Sequence, residues 1–243
     1  MPGNRADQEL AKRGLVASRS QAESYIKLGK VKLNGKILNK SSILVGVEDR
    51  LEVLDAQYVS RAGLKLASAA DKLGLDFNNK VVLDVGSSTG GFTDYALRHG
   101  AAKVIAVDVG TDQLHPSLLG DSRVELHEKT DIRDFKTNQP DIVLIDVSFI
   151  SLRQVLPVIA KLSSKDTQIA AMLKPQFEGL QQAQAKPSDY LNKGVIKNDS
   201  IRRQILKDFE QWAKLQFKVV DKADSQVAGS KGNKERFYLL KIL

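Results

Sequence analysis

The sequence predicts a doubly wound α/β sheet preceded by a small, basic α+β unit. Three observations carry this. From residue 60 onward, short apolar runs alternate with helix-periodic stretches, the pattern of a largely parallel sheet covered by helices on both faces. Before residue 58 the pattern is two short helices followed by a hairpin. Charge is concentrated there as well: residues 11–40 hold Lys12, Arg13, Arg19, Lys27, Lys30, Lys32, Lys36 and Lys40 against the single acid Glu23. The expected domains are residues 1–58 and 59–243.

Each element has a local reason. Residues 10–14 close a first helix, with Gly14 in the left-handed cap position. Ser20 and Glu23 form a capping-box pair opening a second helix, which Gly29 ends. Val31–Leu33, an Asn34-Gly35 turn and Ile37-Leu38 read as a hairpin, and residues 50–54 as a closing strand. Residues 55–60 read as a linker. Beyond it, residues 80–85, 104–109, 123–126, 141–147, 168–173, 217–220 and 236–242 are strand-like, and residues 92–99, 152–162 and 200–214 are helical. Residues 181–188 read as an exposed loop.

Composition narrows the function. The chain has 243 residues, 42% hydrophobic and 27% charged, enough to bury a sizeable core. It has no cysteine, which excludes disulfides, thiolate zinc sites and iron–sulfur clusters. His99, His115 and His127 lack metal-ligand spacing, so no metal is expected. The N-terminal residues contain no apolar signal core, and no apolar run approaches the ~18 residues of a membrane span. A cytoplasmic protein without stable membrane insertion is expected. The formal net charge of +8 favours a polyanionic partner.

The sharpest local signal is Asp84-Val-Gly86-Ser-Ser-Thr-Gly90-Gly91-Phe92, joining a strand to a helix. Its spacing fails the G-x-G-x-x-G fingerprint of dinucleotide sites, and Asp84 at the strand end would repel a pyrophosphate. An acid there suits a cationic ligand such as the amino-acid portion of S-adenosylmethionine. Asp108 ends the next strand, where a carboxylate can accept both ribose hydroxyls. The candidate cofactor residues are Asp84, Gly86, Ser87, Ser88, Thr89, Gly90, Gly91, Phe92, Asp108 and Asp131. Asp131 could receive the adenine amino group, although a turn aspartate explains it almost as well. Asp146 and Lys174 end two further strands at the same edge, and Pro175 stops the second strand. Lys65, on a helix, and Glu235, before the last strand, each read singly as surface charges.

Two resemblances sharpen this. The run RGLVASRSQAESYIKLGKVKLNGKI, with a later RLEVL, resembles an S4-type RNA-binding domain. That implies structured RNA as partner, with Arg13, Ser18, Arg19, Lys27, Lys30 and Lys32 as contacts. SRAGLKL, LDVGSSTGGFTD, AVDVGTDQL, DIVLIDVSFISL, LKPQFE, KGVIKN and GNKERF, in that order, resemble the TlyA family across nearly the whole chain. This family comprises ribosomal RNA 2′-O-methyltransferases, also called hemolysin A, in which an S4-type domain is fused to an FtsJ-like domain. The resemblance implies a Rossmann-like S-adenosylmethionine-dependent methyltransferase with a Lys-Asp-Lys-Glu tetrad on Lys65, Asp146, Lys174 and Glu235. It implies a cytidine ribose as target and a ribosomal subunit as partner. The short N-terminal lead-in points to the large subunit.

Lys174 is the expected general base, since the 2′-hydroxyl must lose its proton as its oxygen is methylated. Asp146 is assigned to orienting Lys174, and Lys65 and Glu235 to positioning. Lys234 and Arg236 make the surroundings of Glu235 more basic than the family pattern. Two other classes remain open at this point: a non-catalytic RNA-binding module, and a membrane-active hemolysin.

Overall fold

The computed structural model describes residues 3–54, 58–179, 191–229 and 232–243. The loop expected at 181–188 and residues 55–57 of the linker lie outside them.

The N-terminal unit comprises β1 (Asn4–Arg5), α1 (Ala6–Lys12), α2 (Arg19–Lys27), β2 (Val31–Leu33), β3 (Lys36–Ile37), β4 (Leu44–Val45) and β5 (Leu51–Val53). β2 pairs with both β3 and β5, and β1 pairs with β4. Asn34 and Gly35 have φ of 50° and 79°, the two positive values a tight hairpin turn needs. The start of α2 departs from expectation. Ser18, not Ser20, caps it: Gln21 N donates to Ser18 Oγ at 3.2 Å, and Ala17 N donates to Gln21 Oε1 at 2.8 Å. The sequence offers two capping boxes, Ser18 with Gln21 and Ser20 with Glu23, and only the extended backbone at Ser18 (φ −157°) separates them.

The remaining elements are α3 (Arg61–Ala70), β6 (Val81–Val85), α4 (Gly91–Arg98), β7 (Lys103–Val107), α5 (Pro116–Leu119), β8 (Val124–His127), β9 (Ile142–Ile145), α6 (Leu152–Leu162), β10 (Gln168–Leu173), α7 (Pro175–Glu178), α8 (Asp199–Ala213), β11 (Phe217–Asp224) and β12 (Arg236–Ile242). The strands form one seven-stranded sheet in the order β11-β12-β10-β9-β6-β7-β8. β6 to β10 pair in parallel, and β12 runs antiparallel to both its neighbours. From β6 the chain winds outward through β7 and β8, then returns to build the other half from β9. The crevice beyond the carboxyl ends of β6 and β9 is therefore the switch point where such sheets bind ligands.

Helices cover both faces. Leu66 of α3 and Phe92 of α4 pack against Phe237 on one side, and Leu156 of α6 and Phe209 of α8 pack against Tyr238 on the other. A third core joins Leu10, Tyr25 and Ile26 to Leu64 of α3 and to Val227. The N-terminal unit thus completes its core with residues from the larger sheet domain. No helix among the described residues is long and apolar enough to cross a membrane.

Close contact between α3 and α4 depends on Gly91. A Cβ there would lie 2.3 Å from Ser60 Oγ, 2.7 Å from Ala62 Cβ and 2.8 Å from Gly63 N. Two of these obstacles belong to the start of α3, so the helix itself has to shift. Gly91→Ala is expected to cost roughly 1–3 kcal/mol, the usual scale of overpacking. Thermal unfolding checks it, and an unchanged Tm would mean the two helices part without strain.

Candidate active site

The cleft is built on the ends of β6, β7 and β9. Asp84, in β6, is fully buried. Thr93 Oγ1 donates to its Oδ2 at 2.6 Å, whereas Oδ1 has no partner. Burial pushes this carboxyl up to about 7; the negative charges of Asp146 and Asp108 add to the rise, and the Thr93 hydrogen bond opposes it. The chain then turns at Gly86, with φ 82°. A Cβ on Gly86 would sit 2.8 Å from Asp146 O, so the glycine lets the ends of β6 and β9 lie side by side.

Asp84, Gly86, Ser87, Ser88, Thr89 and Phe92 line a polar pocket of about 140 Å³, together with Asp146 and Lys174. Gly90 and Gly91 face protein instead: added Cβ atoms would meet Leu118 and Leu114 at the first and Ser60 at the second. A larger pocket of about 370 Å³ shares Gly86, Ser88 and Asp146, and is lined further by Asp108, Asp131, Ile132 and Phe149. Asp108 is held by two backbone donors, Ser88 N at 2.8 Å and Gly110 N at 2.7 Å. The Asp131 carboxylate is taken up by the Arg133 guanidinium, at 2.6 Å, and by Arg133 N, and these hydrogen bonds hold it below the usual carboxylate range.

The four charges of the expected tetrad form two ion pairs. Lys174 Nζ lies 2.5 Å from Asp146 Oδ1 and donates to Ser148 Oγ at 2.8 Å. Lys65 Nζ lies 2.7 Å from Glu235 Oε2, with both side chains almost wholly buried. The first pair lines the small pocket; the second pair belongs to neither pocket lining. The two are nonetheless adjacent in the sheet. Leu173 is registered with Arg236 across β10 and β12, so continuing that antiparallel register sets Lys174 beside Glu235. No group of His, Asp or Glu among the described residues could hold a metal ion.

Three cleft residues lie within the family-like runs LDVGSSTGGFTD and DIVLIDVSFISL but were not singled out there as site residues. Thr93 and Ser148 are hydroxyls in unremarkable positions. Phe149 has φ 65° and is 90% exposed, with its ring 5.0 Å from that of Phe177. A solvent-facing aromatic on a backbone conformation that bulky residues avoid is unusual away from functional sites.

Comparison with known proteins now bears on this geometry. Residues 58–242 match the FtsJ-like methyltransferase family and residues 5–51 the S4 domain. Hemolysin A of Brachyspira hyodysenteriae is 37% identical across 95% of this chain and 97% of its own length. The 23S rRNA (cytidine-2′-O)-methyltransferase TlyA of Campylobacter jejuni is also 37% identical, across 92% of this chain and 94% of its own. The chain belongs to the TlyA family. A solved structure from Streptococcus thermophilus, described as a hemolysin candidate, superposes with a TM-score of 0.71 at 35% identity and covers 100% of this chain and 89% of that one.

In this TlyA-family chain the six candidate RNA contacts of the S4 domain separate into two groups. Arg13 donates to Glu9 at 2.8 Å and to the carbonyls of Asp49 and Gly46, at 2.7 and 2.8 Å, tying α1 to the β4–β5 loop. Ser18 caps α2. Arg19 donates to the buried Asp7 at 2.6 Å. Burial raises the Asp7 carboxyl, but hydrogen bonds from Arg5 and Arg19 outweigh it and leave it at about 2. Lys27 lines an open groove of about 480 Å³ with Lys40, Ser41 and Ser42. Lys30 and Lys32 are half-buried at β2. The first three side chains make contacts within the domain, Arg19 remaining half exposed, whereas Lys27 is exposed beside Glu23 in its groove.

Proposed function

We propose that the protein transfers a methyl group from S-adenosylmethionine to the 2′-hydroxyl of a cytidine ribose in ribosomal RNA, with the large subunit as target. Residues 1–58 hold the RNA and residues 59–243 carry the chemistry, in the cytoplasm. The observation that supports this most directly is Lys174, held by Asp146 and Ser148 inside the pocket that also contains the buried carboxylate of Asp84.

The cleft suits the cofactor. Asp84 Oδ1 and Ser87 Oγ are buried without partners, an arrangement that is costly unless a ligand completes it. Three carboxylates, Asp84, Asp108 and Asp146, favour a cation over a phosphate. Asp84 and the turn from Gly86 to Thr89 would hold the amino-acid portion, Asp108 the ribose, and the wall of Asp131 and Ile132 the base. When bound, the cofactor supplies a methyl group already activated on a sulfonium.

The protein aligns the acceptor oxygen and removes its proton. Lys174 Nζ, as the neutral amine, takes that proton and becomes the ammonium that Asp146 then faces. Asp146 and Ser148 fix the amine against rotation, and the Lys65–Glu235 pair braces the same edge from α3. Phe149 offers an open ring on which an unstacked base can rest.

Calorimetric titration with S-adenosylmethionine tests the cofactor assignment. The wild type is expected to bind, and Asp108→Ala to bind more weakly by about 1–3 kcal/mol, the loss of a hydrogen-bonding acceptor. Equal affinities would remove Asp108 from the site. Mapping ribose methylation in ribosomal RNA from cells with and without the protein tests the substrate; identical maps would sink the assignment.

A further inference from the structure

The edge of the sheet beyond β12 carries a charged surface that the cleft does not use. Phe217 and Val219 of β11 face α8 and join the core around Phe209. Unbroken alternation would send Asp221 and Ala223 to the same face. The register instead shifts between Val219 and Asp221, so that Lys222 lies opposite Tyr238 and Asp224 opposite Arg236. Ala223 accordingly packs in the core on the other side of the sheet. This bulge re-aims Lys222 toward α8, where it meets Glu210 at 2.7 Å.

The resulting groove has a volume of about 500 Å³ and is lined by Arg203, Lys207, Lys214, Lys222 and Arg236 against one carboxylate, Glu210. Glu210 is shared by Lys214 and Lys222. Arg236 is held by Asp224 at 2.6 Å. Arg203 and Lys207, both exposed and one turn apart on α8, have no carboxylate partner among the described residues. The groove opens at the strand edge that carries the tetrad, because Arg236 directly follows Glu235 and is registered with Leu173, next to Lys174. From Arg203 to Lys214 the helix runs roughly 16 Å, room for several phosphates.

We propose that the groove between α8 and the bulged half of β11 binds the phosphate backbone of the RNA substrate, extending the contact away from the reacting ribose on the side opposite β8. This rests on the reading of the protein as an RNA methyltransferase. The chemistry favours phosphates over a protein partner. The groove presents spaced guanidinium and ammonium groups, which match phosphate oxygens. It lacks the aromatic or apolar centre around which protein interfaces are built, Leu206 being its one apolar lining residue.

The full-length Arg203→Gln/Lys207→Gln variant tests it, with Lys218→Gln as control, since Lys218 lies on the other face of β11 ahead of the bulge. Binding to large-subunit particles and to protein-free ribosomal RNA is measured across a salt series, alongside cofactor titration and methyl transfer. The double variant should bind both RNAs roughly tenfold more weakly, with a log–log salt slope shallower by about 1.5–2, as for two lost phosphate contacts. KM for RNA should rise while kcat and cofactor affinity hold, and the control should behave as wild type. Unchanged affinity and slope would overturn the proposal, leaving a merely solvated surface. Weaker binding to particles alone would overturn it in favour of an acidic protein partner. Failure of the wild type to methylate any RNA would instead strike the reading of the active site, and the binding series would still decide the role of the groove.

Discussion

Lys174→Ala is expected to lose methyl transfer by ~10²-fold or more, the usual scale of a general base, while retaining the fold and binding of S-adenosylmethionine and RNA. Lys174→Arg should fail as well, because a guanidinium stays protonated and cannot accept the ribose proton. The arginine variant matters most. It preserves the positive charge opposite Asp146, from which Lys174 Nζ lies 2.5 Å away, so a purely electrostatic role for Lys174 would survive in it. Alanine leaves the Asp146 carboxylate without its partner near the buried Asp84, so a modest loss of stability is expected there and binding must be measured separately. Single-turnover transfer on ribosomal particles across a pH series separates the two roles. Near-normal transfer by Lys174→Arg would rule out proton abstraction by this residue.

Cofactor affinity should fall as pH drops below 7, approaching tenfold per pH unit, because a cationic ligand needs the ionised form of Asp84. The carboxyl is pushed up to about 7, first by burial and then by Asp146 and Asp108. The groups around it are Thr93 from α4, Asp108 from the end of β7, Asp146 from the end of β9, and Lys174, which lines the same pocket. Stability follows with the opposite sign. An acid whose folded value lies above its ordinary value of 3.8 binds more protons in the native state across that window. The stability it allows is fully present below about 4 and is lost as pH rises through about 7. Asp84→Asn should therefore bind cofactor poorly with a flat pH profile, yet be more stable than wild type at pH 8 by a margin on the order of a few kcal/mol. At pH 4 the two should be nearly equal. Denaturant titrations at several pH values check the stability and calorimetry checks the binding. A wild-type affinity independent of pH between 5 and 8 would show that Asp84 stays ionised throughout.

The inner strands of the large sheet were legible because a parallel strand covered on both faces appears as a continuous apolar run, as in Val81–Val85 and Ile142–Ile145, whereas the parallel edge strand β8, VELH, is only partly buried. β1 and β4 were missed because two-residue strands have no period to read, and no Asn-Gly turn marks them as it marks the equally short β3. β11 ends at Asp224 rather than at residue 220, since the bulge breaks the alternation that would have marked its second half.

Local chemistry by itself determined the fold class, the positions of Asp84 and Asp108 at strand ends and the glycine turn between them, because strand period, turn preference and the charge of a strand end are properties of a few consecutive residues. Which groups meet was decided only in three dimensions. The pairing of Lys65 with Glu235 joins opposite ends of the larger domain. Arg13 and Arg19, expected from the sequence as RNA contacts, also pair with the buried carboxylates of Glu9 and Asp7, which need partners, while half of the Arg19 side chain stays exposed. Gly90 and Gly91 make room for α5 and α3, and Phe149 stands open to solvent on a strained backbone. In each case the deciding energy is the packing or desolvation of residues distant in the chain, and no window of neighbouring residues contains it.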